Sequence, residues 1–155
     1  MPPQIAEPEW QVVAVPVADV RRLRADTLRP GLPGSASVYP QDQLPDTVHL
    51  AVVHEGKVIG CLTLFPEPYL EQPAWRLRGM ATDPEWRGFG CGRALLREAT
   101  RVMQANAGEV LWCNARTSVV DFYRRSGFEI VGPEFITEAG VPHRVGLWRA
   151  SPPES

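Results

Sequence analysis

The chain has 155 residues, 16 Lys and Arg against 18 Asp and Glu, a formal net charge of −2, and 44% hydrophobic against 22% charged residues. That composition excludes disorder as the default and predicts one soluble globular domain over residues 9–150, with 1–8 and 151–155 as flexible tails. A chain of this size buries roughly 70% of the surface its unfolded form exposes, so its core requires neither disulfides nor a structural metal.

A near-neutral balance argues against coating nucleic acid or an anionic membrane, since both demand a concentrated basic face. Of the 16 basic residues only Lys57 is Lys. That bias suits bidentate anion contacts, and genome composition produces it equally well. Cys61, Cys91 and Cys113 are odd in number, with no C-x-x-C or Cys/His ligand spacing, which points to a reducing compartment and no metal site. The N-terminal MPPQIAEPEW lacks a basic flank leading into an apolar run, and no stretch of 18 apolar residues occurs. A cytoplasmic protein is expected.

In chain order, Gln11 to Val15 reads as a strand and Ala18 to Leu28 as a helix stopped by Pro30. RPGLPGSASVYPQDQLPD is too broken for either element. Val48 to Val53 and Val58 to Leu64 are β-rich runs around His54-Glu55-Gly56-Lys57, a hairpin signal. Ala74 to Thr82 alternates like a strand, and Gly79 inside it predicts a bulge or a close backbone approach. From Arg93 to Met103 the residues Leu95, Leu96, Ala99, Val102 and Met103 recur at helical spacing. Val110 to Cys113 is a short buried strand, and Ser118 to Arg125 a helix that Gly127 ends. Phe128 to Val131, extendable to Phe135, and Val145 to Trp148 close the chain as strands. The resulting order predicts a mixed α/β sheet flanked by helices.

Arg87-Gly88-Phe89-Gly90-Cys91-Gly92-Arg93 lies between the fourth strand and the long helix. Glycines there let backbone amides converge, and the helix N-terminus adds partial positive charge, so a diphosphate fits; a purely structural turn has the same composition. A Walker loop needs a Lys that is absent, and glycines at 88, 90 and 92 miss the dinucleotide spacing. Downstream stand Trp112-Cys113-Asn114 and Asp121-Phe122-Tyr123-Arg124-Arg125-Ser126-Gly127-Phe128.

Arg-x-x-Gly-x-Gly after a strand, then an Asn at a strand end, then Phe-Tyr-x-x-x-Gly-Phe, resembles the GNAT superfamily of acyl-coenzyme A-dependent N-acyltransferases. The resemblance is strongest over residues 75–128. It implies a mostly antiparallel sheet splayed between its fourth and fifth strands, with acetyl-coenzyme A (acetyl-CoA) as cosubstrate and no metal. By position, the backbones of Met80 and Thr82 would pair with the pantetheine. The amide near Met80 or Ala81 would polarise the thioester carbonyl. Arg87, Gly88, Gly90, Gly92 and Arg93 would hold the pyrophosphate, and Asn114 would bond the pantetheine or its neighbouring backbone. Tyr123 would donate a proton to the departing thiolate, while Phe122 and Phe128 are assigned to the core.

The implied reaction is direct acetyl transfer to a primary amine of a small molecule or peptide in a ternary complex. The alternative is an inactive acyl-CoA-binding sensor. Some relatives carry a basic Glu on the fourth strand, where this chain has Arg76 and Arg78. His143, Glu138, Glu134 or water are left as bases, with His49 and His54 as lesser candidates. Arg76 and Arg78 either line an acceptor pocket or form ion pairs. Related folds often dimerise through their C-terminal strands.

Overall fold

The computed structural model describes residues 10–33, 37–137 and 139–150; the expected tails 1–8 and 151–155, and Glu138, lie outside the described residues. Seven strands form a sheet of order β1-β2-β3-β4-β5-β7-β6. The chain divides into two compact units, one of Met1–Leu64 with Gly79–Ala99, the other of Phe65–Arg78 with Thr100–Ser155.

In the first unit β1 (Gln11–Val15) pairs antiparallel with β2 (Val48–His54), which pairs antiparallel with β3 (Lys57–Pro66). The hairpin turns through Glu55 and Gly56 at φ 49° and 77°, the doubly left-handed turn whose twist matches that of the strands it joins. Helix α1 (Ala18–Leu28) buries Val20 against Ala51, Cys61 and Ala81, with Val15, Val17, Leu23 and Leu28 around them. Helix α2 (Cys91–Ala105) buries Leu95, Leu96 and Ala99, the expected stripe. Gly60 of β3 admits that helix: a Cβ there would lie 3.2 Å from Leu95 Cδ1 and 3.5 Å from Cys91 Cβ. Leu95 is fully buried, and truncating such a side chain to Ala typically costs about 2–5 kcal/mol.

In the second unit the first residues of β4 (Trp75–Thr82) run parallel to β5 (Val110–Arg116). That ladder comprises Trp75 with Leu111, Arg76 with Trp112, and Leu77 with Cys113. Along its whole length β5 is antiparallel to β7 (Pro142–Arg149), which also pairs with β6 (Glu129–Ile136) across a register shift between Val131 and Phe135. Helix α3 (Val120–Arg125) is shorter than the expected 118–125 because Thr117–Val119 form a 3-10 turn instead. Leu77, Met103, Leu111, Cys113, Phe128 and Leu147 are buried here.

The expected mixed α/β architecture is therefore observed, with β1 and α1 at their expected bounds. The largest shifts are at the facing ends of β5 and β7: β5 runs three residues past the expected Cys113 and β7 begins three residues before the expected Val145, because the two strands pair as far as Arg116 with His143. Asn114 consequently sits within the strand, opposite Val145, and not at its end.

Candidate active site

The glycine segment belongs to the first unit and is built from Asp83 onward. The Asp83 N–H donates to Ile59 O at 2.8 Å, its carboxylate accepts from Glu85 N–H at 3.0 Å, and it pairs with Lys57 at 3.4 Å. These bonds open a 3-10 turn at Pro84–Trp86, whose Trp86 ring lies 4.6 Å from His54 and 5.5 Å from Phe89. Gly88 and Gly90 follow at φ 85° and 90°, conformations L side chains rarely adopt. Among the described residues, and apart from the adjoining chain, no atom lies within 4 Å of a Cβ built on Gly88, and only Trp10, at 4.0 Å, approaches one on Gly90.

The Gly90 carbonyl accepts from Ala94 N–H at 3.0 Å, opening α2, so the amides of Cys91, Gly92 and Arg93 have no carbonyl a turn behind them to meet. With Arg87 and Arg93 exposed beside them, open backbone, orphan amides and two cations make an arrangement able to cradle an oxyanion. Cys91 is buried, and burial raises its thiol pKa, so it is no thiolate nucleophile.

Further along the same unit, Ala81 is buried and Met80 and Thr82 are half-buried on β4. Gly79 precedes them at φ 65°, the kink expected from the sequence, and its carbonyl faces the Cys61 thiol at 3.6 Å. Burial pushes the Cys61 thiol up to about 12.

A polar group that sequence reasoning missed packs against that kink. Arg24 is fully buried and pairs with Asp42 at 2.8 Å; His49, Thr63, Ser37 and Tyr39 complete the cluster. The one sequence signal is that Arg24 stands four residues after Val20, on the apolar stripe of α1.

In the second unit Asn114 is exposed. Tyr123 is buried, its ring edge-on to Phe122 at 5.2 Å and Phe128 at 5.4 Å. Burial chiefly, with Cys113 adding to it, raises the phenol pKa, so Tyr123 keeps its proton at physiological pH. Burial also pushes the Cys113 thiol up to about 12, which removes it as a nucleophile.

His143 is half-buried and stacks on Phe135 at 6.0 Å. Its Nδ1 lies 2.8 Å from Val141 O; a carbonyl only accepts, so Nδ1 carries the proton and Nε2 the lone pair of the neutral ring. Glu134 is exposed and accepts from the Thr117 hydroxyl at 2.9 Å. Arg76 pairs with Glu67 at 2.9 Å and lies 4.7 Å over the Trp112 ring, the ion-pair alternative of the two open for it.

Among the described residues no group of His, Cys, Asp and Glu is placed to hold a metal ion, and no helix is long and apolar enough to cross a membrane.

Comparison with known proteins gives the class of this domain. The sequence profile of the Acetyltransferase (GNAT) family matches residues 17–128. An uncharacterised N-acetyltransferase of Bacillus subtilis (strain 168), YitI, is 31% identical over 128 residues, covering 81% of this chain and 86% of that protein. Among solved structures, an acyl-CoA N-acyltransferase from Pseudomonas aeruginosa superposes with a TM-score of 0.72 at 18% identity, covering 90% of this chain and 98% of that one. An aminoglycoside 6'-N-acetyltransferase complexed with coenzyme A superposes with a TM-score of 0.72 at 12% identity, covering 94% and 99%. The chain belongs to the GNAT acetyltransferase family.

Proposed function

We propose that the protein transfers the acetyl group of acetyl-CoA to a primary amine by direct attack in a ternary complex. The observation that carries this reading is the start of α2, where open glycine backbone, amides without intrahelical acceptors and two exposed arginines coincide. Arg87, Gly88, Gly90, Gly92 and Arg93 hold the pyrophosphate. The Met80 and Thr82 backbones pair with the pantetheine, the Met80 or Ala81 amide polarises the thioester carbonyl, and Asn114 bonds the pantetheine or the backbone beside it.

The neutral amine attacks the carbonyl carbon, the carbon–sulfur bond breaks, and the thiolate takes the proton of Tyr123. The acceptor nitrogen sheds its proton to a base. His143 suits that role through its free Nε2 lone pair, with Glu134, Glu138 and water as the other candidates. The acceptor is an amine of a small molecule or peptide. Three free cysteines, all buried, fit the cytoplasmic placement.

A binding-only module has one observation in its favour: β4 offers Arg76, already paired with Glu67, where a basic carboxylate would stand. The experiment is a thiol-release assay with acetyl-CoA against a panel of primary amines. Turnover in the wild type, reduced about 10²–10⁴-fold by Tyr123→Phe with unchanged acetyl-CoA affinity, supports the enzyme. Tight acetyl-CoA binding without turnover on any amine supports the module.

A further inference from the structure

The Arg24 guanidinium is held on three sides. Nη1 donates to Asp42 Oδ2 at 2.8 Å and to Ser37 O at 3.0 Å, Nη2 donates to Thr63 Oγ1 at 2.6 Å, and the group lies 4.1 Å over the Tyr39 ring. The protons on this network are fixed by elimination. His49 Nε2 lies 3.2 Å from the Asp42 carbonyl, which only accepts, so Nε2 is protonated. Burial lowers the His49 pKa, so Nδ1 keeps its lone pair and accepts a hydrogen bond from the Thr63 hydroxyl at 2.7 Å, while the same oxygen accepts from Arg24. Asp42 Oδ2 also accepts from Tyr39 N–H at 3.0 Å, tying the irregular segment to the cation.

The remaining edge of the guanidinium is Nε, buried and, among the described residues, without a hydrogen-bond partner, and it faces Gly79. A Cβ at position 79 would stand 2.8 Å from Nε and 3.0 Å from Tyr39 Cε2. The kink in β4 is therefore pressed against a cation that its other partners leave no room to retreat. The peptides that follow the kink are those of Met80 and Ala81.

We propose that Arg24 is a positioning residue for acetyl transfer: locked by Asp42 and Thr63, it holds the Gly79 kink and so sets the direction in which the Met80 amide points. The inference rests on the acetyl-CoA reading given above. Neither α1 nor the segment around Asp42 contributes a group to the pyrophosphate loop in that reading, so Arg24 acts on the acyl end of the cosubstrate and the pantetheine beside it, and not on the pyrophosphate.

The test is isotope-edited infrared spectroscopy of acetyl-CoA labelled at its carbonyl carbon and bound to the full chain, alongside calorimetry with CoA. The wild type should lower the carbonyl stretch relative to free acetyl-CoA. Arg24→Lys, which keeps the charge and loses the fork, should lose that shift while still binding CoA. The double variant Arg24→Met/Asp42→Leu removes both buried charges together, keeps the chain folded and should lose the shift equally. A shift that persists in the folded double variant overturns the inference, as does a wild type that binds acetyl-CoA without one. Failure of the wild type to bind acetyl-CoA overturns the functional reading itself, a result distinct from the other two.

Discussion

Two irregular segments of the first unit, both rich in Pro and Gly, are stabilised in opposite ways. The stretch after α1 is drawn inward: Ser37, Tyr39 and Asp42 are buried, and the Asp42 carboxylate meets a fully buried arginine. The stretch from Pro84 to Gly90 is largely exposed, held by backbone turns and left-handed glycines. One spends its polar groups on the fold; the other leaves amides and arginines over for a ligand. Composition alone does not separate the two, because what differs is whether a buried partner waits for the polar side chains.

The largest test of that contrast is Asp42→Ala, which leaves Arg24 charged and unpaired in the core and should lower the unfolding free energy by about 3–5 kcal/mol in urea titrations. A loss below about 1 kcal/mol would place the pair at the level of an exposed ion pair and erase the contrast. Gly88→Ala forces a side chain into a left-handed conformation but into open space, so it should cost only about 1–3 kcal/mol by thermal denaturation while weakening CoA binding. Equal stability losses in the two variants would show that the glycine segment is as structural as the buried one.

The smallest effect is expected from His49. Burial chiefly, with the Arg24 and Arg21 charges adding, holds its folded pKa below the ordinary 6.5, although Asp42 partly opposes this. The unfolded chain therefore binds the extra proton first as pH falls below 6.5, and stability present above that value is lost progressively down to the folded pKa. His49→Gln should flatten that dependence between neutral and mildly acid pH; identical slopes in wild type and variant would remove His49 from the network's charge balance.

Much of the fold was legible because its signals are local. The α1 bounds follow from Pro30 and the Val20-Leu23-Leu28 spacing, the β2–β3 hairpin from Glu55-Gly56, and the α2 stripe from Leu95, Leu96 and Ala99. The glycine loop and Tyr123 stood out through paired motif spacing. Strand ends were less legible: β5 reaches Arg116 only because β7 pairs with it, a partner the segment 110–116 does not encode. The Arg24 network was invisible for the same reason, since the hydrogen-bond partners of Arg24 lie 13 to 39 residues from it, on segments that only the fold brings together. An arginine on an apolar stripe reads as a defect until its carboxylate is found.

The most direct test of the account is calorimetric titration of the wild type and Gly90→Glu with acetyl-CoA, with adenine nucleotides as controls. Binding by the wild type, weak binding of the nucleotides, and loss of acetyl-CoA binding in Gly90→Glu with the fold intact are expected. Affinity unchanged in that variant, or no binding by the wild type, would contradict the placement of the cosubstrate at the start of α2.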